Sequence, residues 1–364
     1  MNIEAASRSV AAGLRGAALA LSVGSAAAAQ GAPGDVLAAL AALPAAAAGL
    51  PSGPFVLALP ADHGAHPAAR AESWVVSAHL RDAAGATVAA QAALTRLGVI
   101  APDAPEAASP WALRDLWRGH VALSLSGDGA DRAEAVERIA RAAAGVAGHD
   151  AAAGEVRLDD WTLRHEPDGA LTLTVSAGGV DLAVRLTPEK PALAVGGEGP
   201  LRGYAAPRWR ATGVAAGRAL EGLAWVEHFW GELPLPGGPV AWDRMTLHLD
   251  DGRDLSLTRT RRRDGLGAPS VDAALIGPEG RATPLEDATV DVARTWRGPE
   301  GAAWPVAWRI RAAGLELTAA PVADARLRAF AEPLWIGPVT AEGRIDGRAA
   351  AGTGMMTLTG YDAP

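Results

Sequence analysis

The chain is predicted to be all-β, in two β-rich halves built as sandwiches or barrels. Three observations carry this expectation. From Phe55 onward apolar and polar residues alternate with a period of two, as in strands that bury one face. Gly, Asp and Pro recur at short intervals, where tight turns would fall. A Pro- and Gly-rich passage, PEKPALAVGGEGPLRG (Pro188–Gly203), interrupts the pattern near the middle of the chain. The domains are therefore expected at residues 55–200 and 201–364.

Taken in order, the first element is not a strand. Arg8 and Arg15 form a positive start, and GAALALSVGSAAAA (Gly16–Ala29) is a short apolar run ending in small residues. Ala27 and Ala29 make an A-x-A site, so residues 1–29 read as a signal peptide cut before Gln30, and the mature protein is expected to be exported to a periplasm. Residues 30–54 read as a leader or linker, with VLAALAAL (Val36–Leu43) as a short helix stopped by Pro44. Ser73–Gly98 then predicts two strands joined at Asp82–Gly85. Asp131–Gly145, DRAEAVERIARAAAG, is rich in helix formers and predicts an amphipathic surface helix ended by Gly145. Leu171–Pro188 predicts a hairpin turning at Gly178-Gly179, and Met245–Arg261 another turning at Asp251-Gly252. Val306–Val322 and Val339–Tyr361 continue the strand texture.

Composition narrows the function. The formal net charge is −8, which argues against a nucleic-acid partner. The one basic run, RTRRR (Arg259–Arg263), reads more simply as the solvated end of a strand than as a phosphate site. The absence of Cys removes disulfides, thiol catalysis and zinc–thiolate sites together. There is no phosphate-binding loop and no G-x-S-x-G nucleophile elbow.

Chemistry concentrates in GLAWVEHFWGELPLPGGPVAWDR (Gly222–Arg244), in a chain with only 5% aromatic residues. If AWVEHFW is a strand, Trp225, Glu227 and Phe229 share one face, and Val226, His228 and Trp230 the other. A carboxyl flanked by aromatics is desolvated and favours its protonated form, which suits a general acid. The plainer alternative is that the tryptophans are core and that Glu227 and His228 pair with backbone or an arginine. DHGAH brings Asp62, His63 and His66 close in sequence, a pattern that could ligate a metal but is also an ordinary loop. LDDWTL (Leu158–Leu163) reads as a solvated turn before a strand.

Several landmarks in order resemble one family: DHGAHPAARAESW, the strand with Gln91, RGHVALS around His120, LDDWTL, LTPEKP, EGLAWVEHFWG, AWDRMTLHLDDGRDLSL, TWRGPEGAAWPVAWRI, PLWIGPVTAEG and the terminal LTGY. The set is similar to the AttH-like secreted family related to carotenoid 1,2-hydratase, from about Pro60 to Tyr361. The resemblance implies two lipocalin-like antiparallel β domains packed together, with a mostly apolar pocket between or within them. It implies relatives that hydrate, isomerise or cyclise polyene or terpenoid substrates without a metal or redox cofactor, and exported members that accompany ABC transporters. Glu227, His228 and Trp230 match the family's acid-His-x-Trp motif. Trp242 and Asp243 match a W-D pair, Glu72 and Trp74 an E-W pair, and Gln91 and His120 polar landmarks of the first domain. Trp335 stands in a former Y-W-E-G motif, now Leu334, Trp335, Ile336 and Gly337. The strand after Asp251-Gly252 has Ser256 and Thr258 where true hydratases carry a Tyr and an Asp.

Three functions follow as expectations. The first is a monomeric exported protein that binds a hydrophobic, lipid- or isoprenoid-like molecule and serves an ABC transporter permease, with Trp225, Trp230, Trp242, Trp335, Glu72, Trp74, Gln91 and His120 as pocket residues. The second is a cofactor-independent hydratase or isomerase, with Glu227 or Asp243 as acid, His228 as water-positioning base and Trp230 facing the carbocation. The third is a structural partner of a transporter complex.

Overall fold

In the computed structural model, residues 53–100, 109, 113–127, 130–233 and 239–361 are described. The predicted signal peptide, its cleavage site and the helix at Val36–Leu43 lie outside the described residues. The first sheet holds β1 (Ala71–Arg81), β2 (Thr87–Gly98), β3 (Asp115–Gly127), β4 (Ala130–Arg141), β5 (Ala147–Asp150), β6 (Glu155–Leu158), β7 (Trp161–His165), β8 (Leu171–Ala177), β9 (Val180–Pro188), β10 (Leu193–Gly196), β11 (Leu201–Ala215) and β12 (Arg218–Gly231). Its order is β4-β3-β2-β1-β12-β11-β9-β8-β7-β6-β5, with β10 beside β11. The second holds β13 (Val240–Leu249), β14 (Asp254–Arg262), β15 (Ser270–Ile276), β16 (Ala282–Pro284), β17 (Thr289–Arg297), β18 (Ala303–Ala312), β19 (Leu315–Pro321), β20 (Leu327–Arg328), β21 (Leu334–Ile345) and β22 (Arg348–Thr359). Its order is β16-β15-β14-β13-β22-β21-β19-β18-β17, with β20 beside β21.

The predicted hairpins form where turn chemistry dictates. Asp82 Oδ1 accepts the Ala84 and Ala86 amides at 3.0 and 2.9 Å, closing β1 onto β2. Gly178 and Gly179 take φ of +56° and +76°, the paired left-handed geometry that a two-residue turn between β8 and β9 requires. Inside the curled first sheet, which forms a nearly closed barrel, Trp74, Trp117, Trp161, Tyr204 and Trp209 fill the core. The second sheet is a half-barrel around Trp304, Trp308, Trp335 and Met356. Between the two lie Ala89, Ala122, Leu334, Ile336 and Met355 in one patch, and Val195, Ala205, Trp225, Ile276 and Ala282 in another.

Two sequence expectations are corrected. The helix over Asp131–Gly145 is instead the edge strand β4, paired antiparallel with β3 from Leu116↔Arg141 to Gly127↔Ala130. Helix preferences of Ala, Glu and Arg amount to a few tenths of a kcal/mol per residue, and the open edge of β3 outweighs them. The charges that suggested a helix surface serve as edge protection, with Arg118 Nε donating to Glu137 Oε1 across the pair at 2.6 Å. Among the described residues the one helical element is the 3₁₀ turn Ala61–His63. The second correction concerns the division of the chain. Pro188–Gly203 does not separate the sheets, because β10, β11 and β12 all pair within the first one. Pro207 sits where the register of β11 shifts between Ala206 and Trp209, at a bulge that tolerates a residue without an N–H. The change of sheet falls between Gly231 and Val240.

A buried charge cluster joins the two sheets. Asp254 of β14 is fully buried. Lys190, in the loop after β9, donates to its Oδ2 at 2.6 Å and to the Gly252 carbonyl. Arg208 of β11 donates to Asp254 Oδ1 at 2.9 Å and to the Leu249 and Arg253 carbonyls. His248 Nδ1 lies 2.8 Å from the same oxygen. Burial alone would push the Asp254 carboxyl up, but the hydrogen bonds from His248, Arg208 and Lys190 hold it below its ordinary value. Removing this carboxylate strands two cations in a closed interface, so Asp254→Ala is expected to lower stability by about 3–5 kcal/mol. Urea unfolding checks this, with Glu316→Ala, an exposed position on β19, leaving the midpoint in place.

Candidate functional site

Strand β12 lies between β1 and β11, and this double pairing decides where its side chains go. Glu227 pairs with Val75 and Ala205, and His228 with Trp74 and Tyr204. Successive residues point to opposite faces. Glu227 and Phe229 look toward the second sheet, whereas His228 and Trp230 look into the first barrel.

The gap between the sheets holds a cavity of about 250 Å³. Its apolar wall comes from Val75, Leu97, Leu116, Phe229, Trp242 and Met355. The polar groups converge from four strands. Gln91 Nε2 donates to Ser77 Oγ at 3.2 Å and to Thr357 Oγ1 at 3.0 Å. His120 Nε2 lies 3.4 Å from Gln91 Oε1, with its ring 5.3 Å from that of Phe330. Burial, and then the charge of Arg118, push His120 down to about 3, so the wall carries a neutral imidazole. Arg118 also lines the cavity, and its Nη2 is buried without a hydrogen-bond partner among the described residues.

Glu227 does not sit among aromatics alone, as the sequence suggested. Arg244 Nε donates to its Oε1 at 3.2 Å, its Nη2 makes a second contact there, and the Trp225 indole donates at 3.1 Å. Arg244 also donates to Ser256 Oγ at 2.9 Å, beside Thr258 in the cavity wall. A proton-donor role for Glu227 therefore requires this pairing to open.

A second group lies inside the first barrel. Glu72 Oε1 is 2.9 Å from His228 Nε2 and 2.9 Å from His66 Nδ1. Arg96 Nε is 3.4 Å from Glu72 Oε2. Burial pushes Glu72 up, but the hydrogen bonds with His228 and His66 and the charge of Arg96 bring it down to about 2. The His66 ring stacks on Trp230 at 3.6 Å and His228 on Trp74 at 4.6 Å. The DHGAH segment is thus not a free loop. Its 3₁₀ turn folds back so that His63 Nδ1 meets the Tyr204 hydroxyl at 2.8 Å.

A third group lies inside the second sheet. Asp243 is fully buried and accepts from the Tyr361 hydroxyl at 2.6 Å and from Arg259 at 3.2 Å. Burial pushes its carboxyl up, against the pull of Tyr361, Arg261 and Arg259. The RTRRR run is accordingly not a solvated strand end throughout, since Arg259 faces Asp243 and Arg261 covers the Tyr361 ring at 3.6 Å. Trp335 is core, its indole donating to the Asp324 carbonyl at 2.6 Å.

The structure therefore brings Glu227, Trp242, Gln91 and His120 to one cavity, with Trp225 behind Glu227. It places Glu72, Trp74, His228 and Trp230 in the barrel, and Asp243 and Trp335 in the half-barrel. Glu227, His228 and Asp243 do not converge. Arg118, Arg244, Met355 and Thr357 were not singled out from sequence. Alternation on β12 placed Phe229 on the face of Glu227, but nothing local announces that β3 and β22 meet there.

Inward-facing histidines set an acid limit on the fold. Burial, chiefly, holds His79 down to about 4, and His120 and His165 down to about 3. The unfolded chain protonates each near the ordinary value of about 6.5. Below that pH the unfolded state binds protons that the native state refuses, so stability falls with decreasing pH from about 6.5 to 4. Each histidine contributes about 1.4 kcal/mol per pH unit when fully titrating. Urea midpoints measured from pH 7 to pH 4.5 are expected to fall steadily, and less steeply in His79→Gln.

Comparison with known proteins agrees with this architecture. A protein from Nitrosomonas europaea, assigned as an AttH, superposes with a TM-score of 0.71 at 28% identity, over 84% of this chain and 98% of that one. Kievitone hydratase from Nectria haematococca superposes with a TM-score of 0.63 at 13% identity, over 86% of this chain and 97% of that one, a likeness of fold. No curated protein matches the chain. The family model described as AttH-like matches residues 51–361, and the chain belongs to the AttH-like family.

Proposed function

We propose that this chain binds an apolar, lipid- or isoprenoid-like small molecule in the cavity between its two sheets. The observation that carries this reading is the cavity itself, an apolar wall with a few convergent polar groups, Gln91, His120, Thr357 and the Glu227–Arg244 pair. Such a combination suits a ligand that is mostly hydrocarbon with one or two polar atoms. The A-x-A site at Ala27 and Ala29 supports export with the signal peptide removed near Ala29. A monomer in the periplasm that passes its ligand to an ABC transporter permease fits these features together.

A second reading is hydration of an isoprenoid-like alkene. It is favoured by Glu227 in the cavity wall and by the shared fold of a protein named as a hydratase. A proton from Glu227 would add to one alkene carbon, water would add to the other, and the water's second proton would return to the carboxylate. Two features weigh against it. Glu227 is engaged by Arg244 and Trp225, and the chain's two tyrosines, Tyr204 and Tyr361, pack against His63 and Asp243 and do not line the cavity.

Extraction of the purified protein with organic solvent, followed by mass spectrometry, is expected to release a bound apolar compound. Filling the cavity with Ala93→Phe is expected to weaken binding of a fluorescent polyene fatty acid at least about tenfold, equivalent to about 1.4 kcal/mol. Glu227→Gln separates the readings, since it preserves shape. Under the binding reading no alkene is turned over by either protein. Turnover by the parent that Glu227→Gln abolishes would make the chain an enzyme. An empty extract with tight co-purification of permease subunits would instead favour a structural partner of the transporter.

A further inference from the structure

The interior of the first barrel, on the opposite face of β12 from the cavity, carries an arrangement that ligand binding does not use. His66 and His228 present four ring nitrogens, and each faces an oxygen. His228 Nδ1 is 3.1 Å from the Asp62 carbonyl and its Nε2 is 2.9 Å from Glu72 Oε1. His66 Nδ1 is 2.9 Å from the same Glu72 Oε1, and its Nε2 is 3.5 Å from Asp62 Oδ1. Two neutral imidazoles carry two N–H groups between them. Three hydrogen-bond contacts and a longer one at 3.5 Å therefore share only two donors.

We propose that His66 Nδ1, His228 Nε2 and Glu72 Oε1 form a binding site for a borderline divalent transition-metal ion of the zinc type. In this arrangement both ring N–H groups point outward to Asp62, one to its carbonyl and one to its carboxylate. Both lone pairs then point inward, with Glu72 Oε1, at a common centre, and the three ligand atoms lie within 4.8 Å of one another. An acceptor behind each ligating imidazole is the usual means of fixing its tautomer and orientation. Here one residue serves both rings, and Asp62 Oδ2 is itself fixed by the Ala58 amide at 2.7 Å.

The rest of the surroundings fit a cation. The His66 amide spans both Glu72 oxygens, at 2.8 Å to Oε1 and 3.0 Å to Oε2, and Arg96 Nε lies 3.4 Å from Oε2, which fixes the carboxylate with Oε1 beside the rings. Trp230 and Trp74 stack on His66 and His228 and hold both ring planes. Two nitrogens and one carboxylate oxygen suit zinc, cobalt or nickel better than calcium or magnesium, and three protein ligands leave room for water. Glu72 and His228 are closed to solvent while the His66 side chain is 22% exposed, so an ion enters on the His66 side. A cavity of about 420 Å³ at this end of the barrel, lined by Ala65, Pro67 and Arg96, adjoins that side. The ligands come from the segment before β1, from β1 and from β12, so a bound ion would tie the DHGAH segment to the barrel wall.

The test uses the full chain without an affinity tag, stripped with a chelator and titrated with Zn²⁺ by calorimetry and with Co²⁺ by visible absorption. The expected result is one ion per chain, cobalt ligand-field bands, and a higher melting temperature with Zn²⁺. Asp62→Ala, which removes one outer acceptor, is expected to weaken Zn²⁺ binding about 10- to 100-fold, and His66→Ala and the isosteric Glu72→Gln more than that. His149→Ala, outside the ligand set, is expected to leave it unchanged. Circular dichroism establishes that each variant is folded. Failure of the stripped protein to bind either ion stoichiometrically would overturn the proposal, as would folded His66→Ala and Glu72→Gln variants with parental affinity. ¹⁵N imidazole shifts of doubly protonated rings at neutral pH would likewise overturn it, because two protons would then supply the missing donors.

Discussion

The pairing of β12 to β1 on one edge and β11 on the other is the constraint from which the functional geometry follows. With both edges hydrogen-bonded, the strand cannot slip by one residue without exchanging its two faces. That locks Glu227 and Phe229 toward the second sheet and His228 and Trp230 into the barrel. Adjacent residues in one motif thus serve separate compartments. A seven-residue cluster of aromatics and ionisable groups becomes one wall of a cavity and one wall of a core.

The cavity exists because the two sheets are docked at fixed points rather than fused into one core. At one side Asp254 gathers Lys190, Arg208 and His248 in a closed, fully paired cluster. At the other, Arg326 pairs with Asp131, and the Ala331 amide donates to Glu137 Oε2 at 2.7 Å. Charge clusters closed to solvent, such as that around Asp254, contribute less to net stability than apolar packing of the same volume, but they are demanding about geometry. They suit an interface that must keep a gap of defined size between its anchors. Within that gap Gln91 of the first sheet and Thr357 of the second meet directly, so the polar floor of the cavity is itself shared between the sheets.

Local chemistry made much of the fold legible. Asp82–Gly85, Gly178-Gly179 and Asp251-Gly252 each announced a hairpin that forms. The misreadings share one cause. Asp131–Gly145 has helical spacing and helix formers, and only the unpaired edge of β3, distant in sequence from the composition that misled, makes it a strand. Pro188–Gly203 has the composition of a linker, but it connects strands of one sheet because β11 finds β9 and β12. Propensity and composition are local quantities, and strand pairing is not.

The candidate site divides in the same way. From its own residues the chain determined that Glu227 and His228 lie on opposite faces and that no thiol chemistry is available. Only the tertiary structure decided which face meets a cavity. It also decided that Arg244 rather than aromatic surface answers Glu227, that Asp243 turns inward to Tyr361, and that DHGAH closes on Glu72 and His228. The physical reason is that alternation sets relative orientation along one strand, whereas partners are chosen by sheets that assemble residues such as His66 and His228 from opposite ends of the same domain.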